Sequence, residues 1–166
     1  MNKPYFRLTK VKALKDFRLS LAFADGQTFT IDLNDWIAKT KPLKPLQDET
    51  LFARAKIGAD GGTVEWKSAQ LDLASDNLRN LAIEQSGSIG HERIWNWLHE
   101  NQLTLEQGAE ALGISRRMLI YYRDGEKPVP RAIWLACLGW QAVKPKDHVL
   151  PTRIPSPREY AALHSQ

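Results

Sequence analysis

LTLEQGAEALGISRRMLIYYRDG, residues 103 to 125, carries the start and stop signals of two short helices in close succession. Thr104, with Gln107 three residues later, forms a capping-box pair, in which hydroxyl and amide each satisfy a backbone N–H that the first helical turn leaves without a partner. The helix is expected to run to about Leu112, with Gly113 as the turn residue. Ala109 falls where two crossing helices demand a small side chain. Ile114 is expected to plug the core at the turn, and Ser115 to cap a second helix whose apolar face is Leu119 and Tyr122. Asp124-Gly125 closes it.

Working outward, Ile94, Trp97 and Leu98 recur at spacings of three and four and mark a preceding helix. Pro130 suits the first position of a following one, with Ile133, Cys137 and Trp140 on one side. Four helices within residues 91–143 make a small bundle.

At the turn glycine Gly113, the capping serine Ser115 and the terminal Asp124-Gly125, this stretch resembles the lambda-repressor-like (Cro and repressor) helix-turn-helix family. KPVPRAIWLACLGW, residues 127–140, looks like the fourth helix of small regulators in that superfamily. The resemblance implies sequence-specific binding to double-stranded DNA by a transcription regulator acting as a homodimer. If the second helix enters the major groove, its first residues and those one turn later on its outer face, Arg116, Arg117, Ile120 and Tyr121, meet base edges and phosphates. Arginine pairs with guanine O6 and N7, and isoleucine packs on a thymine methyl. Arg123, Lys127 and Arg131 flank the loop after that helix, where family members meet the phosphate backbone. Glu106, Glu110, Asp124 and Glu126 oppose a phosphate surface if they point toward it. The competing function is a protein-interaction adaptor whose bundle makes no DNA contact.

Before the bundle the period is two. Phe6, Leu8 and Val11 mark a first strand, Phe17, Leu19, Leu21 and Phe23 a second, and Phe29, Ile31 and Leu33 a third. Asp25-Gly26 between the last two predicts a two-residue hairpin turn. Asn34 is placed to cap a short helix through Trp36 and Ile37, Pro42 and Pro45 interrupt any helix beyond it, and Asp48 starts another helix with Leu51 and Phe52. Gly61-Gly62 turns a second hairpin between Ile57 and the pair Val64 and Trp66, and Ser75 is expected to cap a helix through Leu78, Leu81 and Ala82. The expected class is therefore an α+β first domain, a small antiparallel sheet with short helices, followed by an all-α helix-turn-helix domain.

The small-residue run Ser86-Gly87-Ser88-Ile89-Gly90 places the boundary. The expected organisation is an α+β domain over 1–85, a linker over 86–90, the helical domain over 91–143 and a proline-containing tail over 144–166. The Phe-Ala-Asp-Gly turn, Asp32-Leu33, the Pro-Leu ahead of Phe52, and Thr-Val-Glu-Trp followed by Asp72-Leu73 resemble a family of small bacterial domains catalogued as domain of unknown function 2442. Lys67-Ser68-Ala69 stand where members usually carry Pro-Asn-Gly. Some members sit in gene pairs that look like toxin and antitoxin modules, which implies a toxin-like protein partner.

Composition bounds these readings. Hydrophobic content of 43% and charged content of 25% are ordinary globular values. The net charge of +4 divides evenly, +2 in residues 1–85 and +2 in 86–166, so bulk charge does not single out a nucleic-acid-binding half. One cysteine excludes an internal disulfide and fits a cytoplasmic protein, and no apolar run is long enough to cross a membrane. His91, His99, His148 and His164 lack metal spacing, and Asp25, Asp32, Asp35, Asp60 and Asp72 fit turns and strand ends. No metal, no cofactor and no enzymatic activity is expected.

Overall fold

The computed structural model describes residues 3–144, so the expected tail, from residue 145 on, and with it His148 and His164, lies outside the described residues. The chain divides between Gly90 and His91 into two compact units.

The first unit is α+β. Strands β1 (Leu8–Leu14), β2 (Arg18–Phe23) and β3 (Thr28–Asp32) form one antiparallel meander. Leu8 pairs with Phe23 while Lys10 pairs with Ala22, so Thr9 is the extra residue of a β-bulge. That bulge explains why Leu8 and Val11, three apart, both face the core: the extra residue resets the alternation of sides. The β2–β3 connection differs from a two-residue turn. The Gly26 N–H donates to the Phe23 carbonyl at 3.0 Å and the Phe23 N–H to the Gln27 carbonyl at 2.9 Å, which makes a three-residue loop of Ala24, Asp25 and Gly26. A two-residue Asp-Gly turn needs positive φ at both positions, whereas here only Gly26 has it, at 85°.

Helix α1 (Asn34–Lys39) follows, and its cap is not Asn34. Asn34 is the first helical residue, and its side-chain amide donates instead to the Asp16 carbonyl and the Asp32 carboxylate. A 3₁₀ turn over Lys41–Gln47 accommodates Pro42 and Pro45. The Asp48 carboxylate accepts from the N–H groups of Thr50 and Leu51 and starts α2 (Glu49–Phe52). The expected single sheet is in fact two, because β4 (Lys56–Ile57), β5 (Thr63–Trp66) and β6 (Leu71–Ala74) form a separate antiparallel sheet. Lys67–Ala69, with Gln70 in the left-handed region, turns β5 into β6.

Helix α3 (Ser75–Gln85) closes the unit; Ser75 is its buried first residue, not its cap. The core joins Leu19, Leu21 and Ile31 of the meander to Val64 and Trp66 of the second sheet and to Leu78 of α3. Trp66 is fully buried and donates its indole N–H to the Phe52 carbonyl at 2.9 Å. Trp36 packs against the same core, half-buried. The Arg79 guanidinium, on α3, makes two contacts of 2.7 and 3.2 Å to the Asp25 carboxylate and lies over the Phe23 and Phe29 rings. Burial pushes the Asp25 carboxyl up. The hydrogen bonds and charge of Arg79 and backbone N–H donors outweigh it, holding the group below its ordinary 3.8.

The second unit is helical: α4 (His91–Glu100), α5 (Leu105–Leu112), α6 (Arg116–Arg123) and α7 (Arg131–Val143). Ile94, Trp97 and Leu98 of α4, Leu119 of α6, and Cys137 and Trp140 of α7 are buried. Pro130 takes the cap position of α7 rather than its first turn, and Ile133 is half-buried. The Trp97 indole donates to the Cys137 carbonyl at 3.0 Å, and burial pushes the Cys137 thiol up to about 12, which leaves it protonated and inert.

Candidate nucleic-acid interface

The elements that present α6 are fixed locally. Both capping-box bonds are made: the Gln107 N–H donates to the Thr104 hydroxyl and the Thr104 N–H to the Gln107 side-chain oxygen. Helix α5 ends at Gly113, whose N–H donates to the Glu110 carbonyl and whose φ of 66° turns the next N–H back toward α5. Ile114 donates to the Ala109 carbonyl and is half-buried rather than a core plug. The Ser115 hydroxyl accepts from the Met118 N–H and starts α6. Leu119 anchors α6 to the core and Tyr122 is half-buried beside it.

Ala109 is buried as expected, but the tightest approach belongs to its neighbour. A Cβ added to Gly108 would sit 2.4 Å from Leu98 Cδ2, 3.2 Å from Leu119 Cδ2 and 3.4 Å from Trp97 Cζ3. Glycine in a helix interior costs about 1 kcal/mol against alanine, and that cost was the signal in the sequence that the position serves packing.

Anchored this way, α6 turns Arg116 and Arg117 to solvent, with Ile120 and Tyr121 half-exposed one turn later. Arg117 donates from Nε to the Tyr121 hydroxyl, and its guanidinium lies 5.4 Å from the Tyr121 ring centre. Lys127 Nζ lies 5.0 Å from the same ring. The N–H groups of Glu126 and Lys127 both donate to the Tyr121 carbonyl, which folds the following loop onto the end of α6. Arg117, Tyr121 and Lys127 are thus one cluster. Arg123 pairs with Asp124 at 2.7 Å, both about three-quarters buried. Arg131 opens α7 and is exposed.

Arg116 has a partner that sequence reasoning did not assign to it. Its Nε meets the Glu106 carboxylate, in the first turn of α5. The first turn of α6 contains two arginines and no acid. Positive charge there adds to the positive end of the helix dipole, costing stability while raising the attraction for an anion.

Among solved structures, the chain is similar to "Putative DNA Binding Protein NE0471" from Nitrosomonas europaea, at 43% identity and a TM-score of 0.79, over 94% of this chain and 100% of that one. Residues 8–84 match the family model described as Protein of unknown function (DUF2442). The chain carries a DUF2442 domain and belongs to one family with the Nitrosomonas protein. No curated protein matches it. The DUF2442 match ends just before α4, so the helical region with Arg116 and Arg117 lies outside it. No helix among the described residues is long and apolar enough to cross a membrane.

Proposed function

We propose that α6 enters the major groove of duplex DNA, making this chain a sequence-specific transcription regulator of the lambda-repressor-like kind, acting as a homodimer and without enzymatic activity. The observation that carries the reading is the exposure of Arg116 and Arg117 on a capped helix whose own first turn holds no acid. Arg117, Tyr121 and Lys127 continue that surface toward the loop, and Arg123 and Arg131 flank it. The related Nitrosomonas protein bears a DNA-binding name, which supports the same reading. A toxin-like protein partner for the amino-terminal domain is the finer part of this proposal, resting on the gene pairs in which relatives of that domain sit.

The test is anisotropy of labelled duplexes with the full chain across about 50 to 200 mM salt. Binding is expected to weaken steeply with salt. Arg116→Ala and Arg117→Ala are each expected to cost about 1–3 kcal/mol of discrimination between duplex sequences. An absence of binding at the lowest salt overturns the reading.

One observation favours an adaptor instead: Glu106 and Asp124 already hold Arg116 and Arg123. On that reading the chain binds no duplex at any salt, and capture of a protein partner is unchanged by Arg116→Ala.

A further inference from the structure

The outward face of the β1–β2–β3 sheet differs from its core face in a way that packing does not require. The register places Lys10 opposite Ala22 and Lys12 opposite Ser20 on one side, and Ala22 opposite Thr28 and Ser20 opposite Thr30 on the other. Leu19, Leu21 and Ile31 are fully buried, and Val11, Ala13 and Phe29 pack against the same core. The alternating residues therefore point away from it. Lys10, Lys12, Thr28 and Thr30 are exposed, and Ser20 and Ala22 between them are half-exposed. The bulge at Thr9 is what brings the lysines here: in an unbroken strand Lys10 and Lys12 would share the side of buried Leu8.

The chemistry of this face selects a partner class. Two ammonium groups along the outer strand and hydroxyls on the other two suit phosphate oxygens. The acids at one end are engaged, Asp32 accepting from Asn34 and Asp16 pairing with Arg18. No aromatic side chain lies among these outward residues, so the face offers no platform for the stacked bases of a single strand. Small residues at its centre let a rigid surface come close.

We propose that this face is a second duplex-DNA contact, in which Lys10 and Lys12 neutralise backbone phosphates and Thr28 and Thr30 donate to neighbouring ones. The inference rests on the DNA-binding reading of α6 and gives the amino-terminal domain a duplex contact of its own. Its contribution is independent of sequence, because lysine meets a phosphate as a point charge.

The test uses the full chain. K10A/K12A is expected to lower the slope of log affinity against log salt by about 2, equally for specific and random duplexes. K39A/K41A removes the same charge from α1 and the turn after it, and is expected to leave the slope unchanged. If wild type binds duplex and K10A/K12A keeps its slope, this inference fails while the reading of α6 stands. An equal fall of slope in both double variants also overturns it, since bulk charge then accounts for the effect. If wild type binds no duplex at all, both fail. Self-association of K10A/K12A at unchanged slope assigns the lysines to guarding the strand edge, and overturns the proposal too.

Discussion

The Glu106 carboxylate meets Arg116 Nε, tying the first turn of α5 to the first turn of α6. Both side chains are more than half exposed, so the pair itself adds little to stability. Its consequence is for binding. A phosphate or guanine approaching α6 competes with Glu106 for that guanidinium and meets a negative charge beside it. Glu106→Gln is therefore expected to tighten duplex binding about two- to fivefold at low salt. Anisotropy titration checks this, and weaker binding by the variant would contradict the competition.

Gly108 gives a second prediction. Alanine there gains about 1 kcal/mol of helix propensity and loses more by overlap with Leu98 and Leu119, for a net cost of about 1 kcal/mol. Valine adds branching against the same neighbours, and Gly108→Val is expected to cost about 3 kcal/mol or more. Urea unfolding followed by far-ultraviolet circular dichroism ranks the two. A more stable Gly108→Val protein would show that the helices do not pack as closely as the structure has them.

The two positions show what a sequence discloses. The caps Thr104, Ser115 and Asp48 were legible because a cap and the N–H groups it serves lie within three residues of each other. Period 3.6 likewise placed Arg117 opposite Leu119. The partner of Arg116 was not legible, since Glu106 lies on another helix and ten residues away. The third strand of the second sheet was missed for a related reason. Gln70 takes a φ of 52° and turns β5 into β6, yet glutamine carries none of the preference for that region that marks a turn. The bulge at Thr9 had a trace in the sequence, the spacing of three between Leu8 and Val11, and only the pairing with β2 gives that trace its meaning.

A tighter connection was equally hidden. Between β1 and β2, Asp16 and Phe17 both hold positive φ, 58° and 51°, where asparagine and glycine are the usual occupants. Tertiary contacts hold the turn there. The Phe17 ring packs edge-on against Phe52 at 5.4 Å, the Phe17 carbonyl accepts from Leu33, and the Asp16 carbonyl accepts from Asn34. Asp16→Gly keeps those carbonyls in place and removes one left-handed side chain, at the loss of an exposed ion pair with Arg18. It is expected to stabilise the chain by about 0.5–1 kcal/mol. Phe17→Gly relieves the same torsion, loses the Phe52 contact and is expected to destabilise. Thermal melts of the two variants moving in the same direction would count against this account.

The Asp25–Arg79 pair supplies a pH test. Its side chains are 24% and 12% exposed, enclosed enough for the two hydrogen bonds to count, and Asp25→Asn is expected to cost about 1–2 kcal/mol at pH 7. Because the folded carboxyl titrates below its ordinary 3.8, the unfolded chain binds a proton at higher pH than the folded one does. The stabilisation is thus fully present above the unfolded value and is lost as pH falls through the folded one. Other carboxylates titrate in the same region, so the informative quantity is the difference between wild type and Asp25→Asn. That difference in unfolding free energy is expected to hold constant from pH 7 to about pH 5 and to shrink below about pH 4. A gap that stayed constant down to about pH 2 would place the effect of the substitution in loop geometry rather than in the charge of the pair.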